Sequence, residues 1–371
     1  SSIRGARVLP RAARHRVAAR HEGAGLQAAG APHDHGAGLR DLPPQAGEDP
    51  APGAATGAAN GDVVTTGMLR GNGTIHTTNS SVGITCTGAD AFVLARYAQN
   101  GTYAHCLPGG GATTGTGFYD AGLAAAIDGN GDAYIAGYFC GTCSFGALPT
   151  VSNLGSAGTK DFFVAKVSAA GTHTYLLGGG TANDGDAIQS LVVNNLGSRV
   201  YVTGNFKGNL SYNGSGTLLS SYSASNLDGF LLTLNAGDGI RIAGGEQKFG
   251  GSSGDDNGRA IAINSAEDIF VGSSSSSQYW EIGASGTLFT NSDGAVGEYE
   301  AMLFRWDHSN WPAVASTGTC VHKGIGEWWN SSAGAWKVSM VGSFSGNNVT
   351  FPNCSPISST QNSAPNYTDD A

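Results

Sequence analysis

The sequence predicts an all-β fold assembled from repeated antiparallel units, on three observations. A short apolar phrase led by an acid recurs as DAFVLAR (90–96), DFFVAKV (161–167), DGFLLTL (228–234) and EAMLFRW (300–306). A second phrase keeps the same beat: DVVTTGMLRG (62–71), DAYIAGYFCG (132–141), RVYVTGNFKG (199–208), DIFVGSSSSS (268–277) and KVSMVGSFSG (337–346). Composition is the third observation. Glycine is 59 of 371 residues, about twice its usual share, and charged residues are 13%, about half the usual share. Short apolar runs separated by Gly, Ser, Thr and Asn make strands and turns rather than helices.

The two phrases repeat independently. The leading acids Asp90, Asp161, Asp228, Glu300 and Asp370 are 71, 67, 72 and 70 residues apart. The glycines Gly67, Gly137, Gly204, Gly272 and Gly342 are 70, 67, 68 and 70 apart. Two markers on one period identify an internal repeat.

Residues 1–59 differ from the remainder. They carry seven of the 19 Lys and Arg, all arginine, and four of the nine histidines, with abundant Ala, Gly and Pro. Such a stretch buries little apolar surface, so it reads as disordered or as an artefact of misframed GC-rich DNA. The repeats are expected over 60–371.

Each element of a unit then follows in order. Side chains alternate along a strand, so Phe163, Ala165 and Val167 share one face while Phe162 and Val164 take the other. Phe230, Leu232 and Leu234 likewise oppose Leu231. Both faces are apolar, which places this strand between two other sheets. A second strand follows at 101–107 and 171–177, then glycines, then apolar runs at 123–127, 187–193 and 260–263. The tight turns DGNGD (128–132), NNLGS (194–198) and NSAED (264–268) have hairpin chemistry and lead into the second phrase. The excess length of each unit is expected in loops at 143–160, 208–227 and 273–299.

Four strands per unit of about 70 residues, buried on both faces, predict a β-propeller of four-stranded antiparallel blades. About four and a half blades are present, so the chain reads as a fragment of a larger propeller whose missing blades belong to the same longer polypeptide. The order DxFVAK, GG, a D/N-x-x-G turn and YVTG-x-F-x-G resembles the bacterial β-propeller repeat called SBBP, best at 161–166 and 201–208. The resemblance covers about 61–371. It implies a secreted or cell-surface protein and no particular activity. The first copy departs from it by one residue more before Arg96, which a bulge would absorb.

Function classes narrow by elimination. A net charge of −9 argues against a nucleic-acid binder. No apolar run approaches the ~20 residues of a membrane helix. No nucleophile elbow, HExxH, P-loop or dinucleotide fingerprint is present, so no catalytic residue is assigned. Six cysteines (Cys86, Cys106, Cys140, Cys143, Cys320 and Cys354) point to an oxidising compartment and disulfides with connectivity open, the alternatives being unpaired structural thiols or metal or redox work.

Three groups of candidate residues remain. Asp120, Asp186 and Asp256 recur just before the third strand of each unit. A ring of acids around a channel would bind cations or sugar hydroxyls; the alternative is that each holds a turn through backbone N–H groups. Tyr103 with His105, and His173 with Tyr175, lie on corresponding strands and would stack on sugars, or pack as hydrogen-bonded pairs. Asp128, Asn130 and Asp132 have the DxNxD spacing of a calcium loop, against a plain hairpin turn. No other cofactor is expected. The reading is a non-catalytic secreted or surface module that binds a protein or glycan or serves as a spacer. The alternative is a polysaccharide hydrolase or lyase using the acids of the channel.

Overall fold

A computed structural model describes residues 54–57, 61–76, 81–111, 119–155, 159–194, 196–264, 266–283, 287–290, 300–306, 313–330 and 335–350. The chain divides into two units, Ser1–Gln45 and Ala46–Ala371. All described residues belong to the second. They form β-strands and turns with no helix.

The strands form four antiparallel sheets. The second contains, from one edge, Ala121–Ile127, Ala133–Cys140, Lys160–Val167 and His173–Gly180. The third repeats this order with Ala187–Val193, Arg199–Phe206, Asp228–Asn235 and Gln247–Gly250. The fourth begins Asp256–Ile263, Ile269–Ser275 and Glu300–Trp306, then continues with the long strands Ala313–Asn330 and Ala335–Thr350. In the first, Ala54–Gly57 pairs with Val63–His76, which precedes Ser81–Tyr97 and Tyr103–Gly110. Strand pairing therefore starts before residue 60, within the stretch whose composition suggested none.

The first three sheets have six strands, not four. The segments expected to be loops supply the extra pair. Thr142–Phe145 and Val151–Ser152, which follow the second strand of sheet two, add to the far edge of sheet one. Asn209–Tyr212 and Thr217–Ser220, from the run of sheet three, add to sheet two. Tyr279–Ile282 and Thr287–Thr290 do the same between sheets four and three. Each unit thus lends a hairpin to its predecessor and returns to its own sheet. The hairpins cover edges that would otherwise present unpaired backbone groups.

The two-faced burial read from DFFVAKV is present. Phe163 and Ala165 pack with Phe92, Leu94 and Phe145 of sheet one, with the Phe92 and Phe163 rings stacked at 4.2 Å. Phe162 and Val164 pack with Phe230 and Leu232 of sheet three, where Phe162 meets Phe230 at 5.3 Å. Leu231 takes the next interface, with Ile261, Val271 and Trp280. Phe163 and Leu232 are fully buried, and each such side chain contributes about 1.5–3 kcal/mol relative to exposure. Phe304 lies outside the residues whose side chains are described.

The ladders correct the alignment of the repeats. Gly67 opposes Val93, Gly137 opposes Phe163, Gly204 opposes Phe230 and Ser273 opposes Met302. Ser273, not Gly272, therefore holds the glycine position of the fourth sheet. Asp161 opposes Phe139, Asp228 opposes Phe206 and Glu300 opposes Ser275, but in sheet one the opposing pair is Leu69 and Ala91. No bulge interrupts the ladder from Val63–Tyr97 to Arg70–Asp90. The extra residue is absorbed by shifting the acid back one place, and Ala91 stands where the other sheets have an acid. Bulges lie instead in the hairpin before, at Leu123, Gln189 and Arg259. In sheets two and three the close approach of a carbonyl leaves no room for a side chain opposite the bulge. A Cβ on Gly137 would lie 1.9 Å from the Ala121 carbonyl oxygen, and one on Gly204 the same distance from that of Ala187.

Candidate functional site

The three aspartates of the supposed ring are each bound at their own sheet junction. Each is fully buried and accepts hydrogen bonds from its own stretch of backbone. Asp120 takes the N–H of Gly111 (2.9 Å) and of Cys140 (2.8 Å). Asp186 takes Thr181 (2.5 Å) and Lys207 (3.0 Å). Asp256 takes Gly251 (2.7 Å) and the Ser277 hydroxyl (2.8 Å). The geometry is the same in each case. The donor just after the fourth strand of one sheet and a donor at the end of the second strand of the next sheet meet on one carboxyl. The acids therefore clamp successive sheets together, which is a junction form of the turn-holding role.

A second set of acids joins them. Asp161 Oδ2 accepts the Leu154 N–H at 2.5 Å, and Asp228 Oδ2 accepts that of Tyr222. Leu154 and Tyr222 end the lent hairpins, so these acids fix each hairpin's return. Both are buried, Asp161 at 1% and Asp228 at 0% exposure. Asp161 lies beside Asp186, and Asp228 beside Asp256. Burial is the main cause that raises the Asp161 carboxyl to about 7 and that of Asp186 to about 8. It likewise raises Asp228 to about 8 and Asp256 to about 7. Hydrogen bonds from Leu154, Thr181, Tyr222, Gly251 and Ser277 pull the other way without cancelling the desolvation.

A glycine makes room for each junction. Gly110, Gly180 and Gly250 have φ of +131°, +157° and +147°, a region that side chains disfavour. A Cβ on Gly250 would lie 2.6 Å from Asp228 Oδ1 and 2.8 Å from Asp256 Oδ2. One on Gly180 would strike Asp161 Oδ1. One on Gly110 would meet Asp120 Oδ2 at 2.6 Å and, on its other side, the Ala91 Cα at 3.3 Å. The second and third junctions each bring two acids together.

The calcium-like loop is a hairpin turn. Asp128 Oδ1 accepts the N–H groups of Asn130 and Asp132, both at 2.9 Å, and Oδ2 accepts the Tyr134 hydroxyl at 2.9 Å. Asp132 is paired with Lys166 at 2.9 Å and accepts the Ala169 N–H at 3.1 Å. Asn194 and Asn264 bind their turn backbones in the same manner. Among the described residues no group of three His, Cys, Asp or Glu is placed to hold a metal ion.

The aromatic and histidine pairs have exchanged places between repeats. Arg96 opposes His105, as Lys166 opposes Tyr175, so His105 corresponds to Tyr175. Tyr103 opposes Tyr97 and His173 opposes Val167, so Tyr103 corresponds to His173. His105, His173 and Tyr175 pack on turns of adjoining segments. A Cβ on Gly171 would lie 3.1 Å from His105, and one on Gly239 would lie 2.8 Å from Tyr175. His173 sits edge-on to Phe145 at 4.3 Å, and Tyr103 packs edge-on to Tyr97 at 6.4 Å. Desolvation lowers both histidines, with Arg96 and His173 adding to the effect at His105. Desolvation also raises the Tyr175 phenol. A shallow cavity lined by Val151, Leu154, Gly178, Ser211 and Asn213 contains none of the candidate residues.

Cys140 and Cys143 stand as separate buried thiols. Burial pushes Cys140 up to about 12 and raises Cys143 as well, with Asp120 adding to both. Such thiols are poor nucleophiles. Cys86, Cys320 and Cys354 lie outside the residues whose side chains are described.

The sequence reading missed that its two sets of aspartates are one feature. The signal was present in the third glycine of GGG at 178–180. No family model matches the chain, and no curated protein matches it.

Proposed function

We propose that the four sheets are blades of a β-propeller of the SBBP type and that the chain is a non-catalytic secreted or cell-surface module. Its role is to bind a protein or glycan, or to hold other parts of a surface assembly apart. The observation that carries this reading is the use to which the recurring acids are put. Asp120, Asp186 and Asp256 are fully buried; both oxygens of Asp120 and of Asp186 accept backbone N–H groups, and Asp256 Oδ2 accepts the Gly251 N–H and the Ser277 hydroxyl. A glycosidase requires two carboxyls free to reach one glycosidic bond. The blade arrangement is supported by three apolar clusters that alternate with the sheets and by the hairpin each unit lends to its neighbour.

The test pairs a binding screen with a turnover screen. The full chain is immobilised and probed with a glycan array and with cell-surface extracts, while the same polysaccharides are assayed for new reducing ends or unsaturated products. Saturable binding without product is expected. Product formation that follows the protein through purification would overturn the reading in favour of the hydrolase or lyase.

A further inference from the structure

Two of the sheet junctions contain more buried acid than their hydrogen bonds satisfy. At the junction of sheets two and three, Asp161 Oδ2 is occupied by Leu154, but Oδ1 has no donor. It lies against Gly180 and faces the Asp186 carboxyl, whose two oxygens already accept Thr181 and Lys207. At the junction of sheets three and four, Asp228 Oδ2 is occupied by Tyr222, and Oδ1 again has no donor. It shares the space beside Gly250 with the Asp256 carboxyl, whose Oδ1 is also without one. Two carboxylates side by side in a dry site repel, and a lone-pair-only oxygen buried there is costly. A proton on one of them answers both problems. It removes one charge, and it turns an unpartnered acceptor into an O–H donor aimed at the adjacent carboxylate.

We propose that each of these two junctions holds one proton shared between its carboxyls, so that the packing of successive sheets is linked to pH. Among the described residues, further acids accompany each pair. Around the first pair lie Asp184, which accepts the Lys160 N–H, and the Lys160 amino group, which is drawn over the rings of Tyr119 and Tyr138. Around the second lie Asp255, Glu281 beside Tyr222, and Lys248, which donates to the Ser220 carbonyl and sits 3.7 Å from the centre of the Tyr222 ring. The extra acids oppose ionisation of the pair, and Lys248 offsets this only in part. In sheet one Ala91, rather than an acid, lies with Asp120 beside Gly110.

The sign is fixed by the direction of the shifts. Each folded pair keeps its one proton up to about 7 to 8, whereas an unfolded aspartate releases it near ~3.9. The folded chain therefore binds more protons through that window. Stability from these groups is fully present below the unfolded value and is lost as pH rises towards the folded one. One proton per junction lowers the folding constant by about tenfold per pH unit, so two junctions lower it by roughly a hundredfold.

The experiment is urea unfolding of the full chain from pH 4 to 9 at constant ionic strength, for the wild type and for Asp161→Asn with Asp228→Asn. A carboxamide accepts the Leu154 or Tyr222 N–H and donates to the facing carboxylate, so it reproduces the protonated state without titrating. The variant is expected to fold and to lose roughly a hundredfold per pH unit of the wild type's decline through the window. Infrared spectra of the wild type at pH 6 are expected to contain a protonated-carboxyl band that weakens in the variant. This second readout needs only the wild type and one single variant if the double variant does not fold. An unchanged pH slope, or absence of the band, overturns the proposal. So does a wild type at pH 8 that is strongly stabilised by calcium and destabilised by EDTA, because a cation would then occupy the place given to the proton.

Discussion

Asp128 tests whether the DGNGD loop is a turn or a metal site. Replacing it with alanine removes the acceptor for the N–H groups of Asn130 and Asp132 and for the Tyr134 hydroxyl. The two backbone groups are partly buried, so water answers some of their loss, at about 0.5–1.5 kcal/mol each. The Tyr134 hydroxyl is buried and has only the Ala236 carbonyl, at 3.4 Å, to turn to. The sum is about 2–4 kcal/mol for Asp128→Ala. Asp128→Asn should cost under about 1 kcal/mol, because Asn194 and Asn264 already do this work in the next two repeats. Urea denaturation gives the answer as a shift in midpoint at constant slope. Equal stability of the Ala and Asn variants would refute the turn argument. So would a thermal midpoint that rises with calcium in the wild type and not in Asp128→Asn.

Other consequences follow from the same contacts. Phe163→Ala empties the space between sheets one and two beside Phe92; a loss of about 3–5 kcal/mol in urea unfolding is expected, and a loss under about 1 kcal/mol would mean the sheets are not packed there. Gly250→Ala places a methyl against two buried carboxyls and is expected to cost more than Gly244→Ala. Gly244 has a positive φ of +81° but open space around it, so its variant registers backbone strain alone, about 1–2 kcal/mol. Equal midpoints for the two would remove the crowding argument at the junction. Tyr212→Phe deletes the hydrogen bond from the lent hairpin to the Gly239 carbonyl, 2.9 Å long. About 1 kcal/mol is expected from calorimetry, and no change in midpoint would show that the hairpin's seat is purely apolar.

The strands that build the interfaces were legible because their chemistry is local. Phe162, Phe163 and Val164 are adjacent in the chain, and alternation alone sends them to opposite faces. The lent hairpins were not read as strands, although their pattern is regular: Cys143 and Phe145, Leu210 and Tyr212, Trp280 and Ile282 are the buried members of three four-residue strands. A strand that short has one alternation, which a loop can imitate, and its partner belongs to another repeat. Only the common spacing of the three segments would have revealed them.

The junctions were illegible for a different reason. Asp161 looked like the lead of a strand and Asp186 like a turn residue, and each accepts backbone N–H groups near a turn. What makes them a site is that they meet across two sheets beside a glycine, and no single repeat contains that geometry. The sheet-one junction shows how little sequence separates the cases: moving one acid from 91 to 90 leaves Ala91 opposite Asp120. A repeat protein can therefore keep its strands, turns and apolar faces unchanged while the acid at a sheet junction moves by one residue.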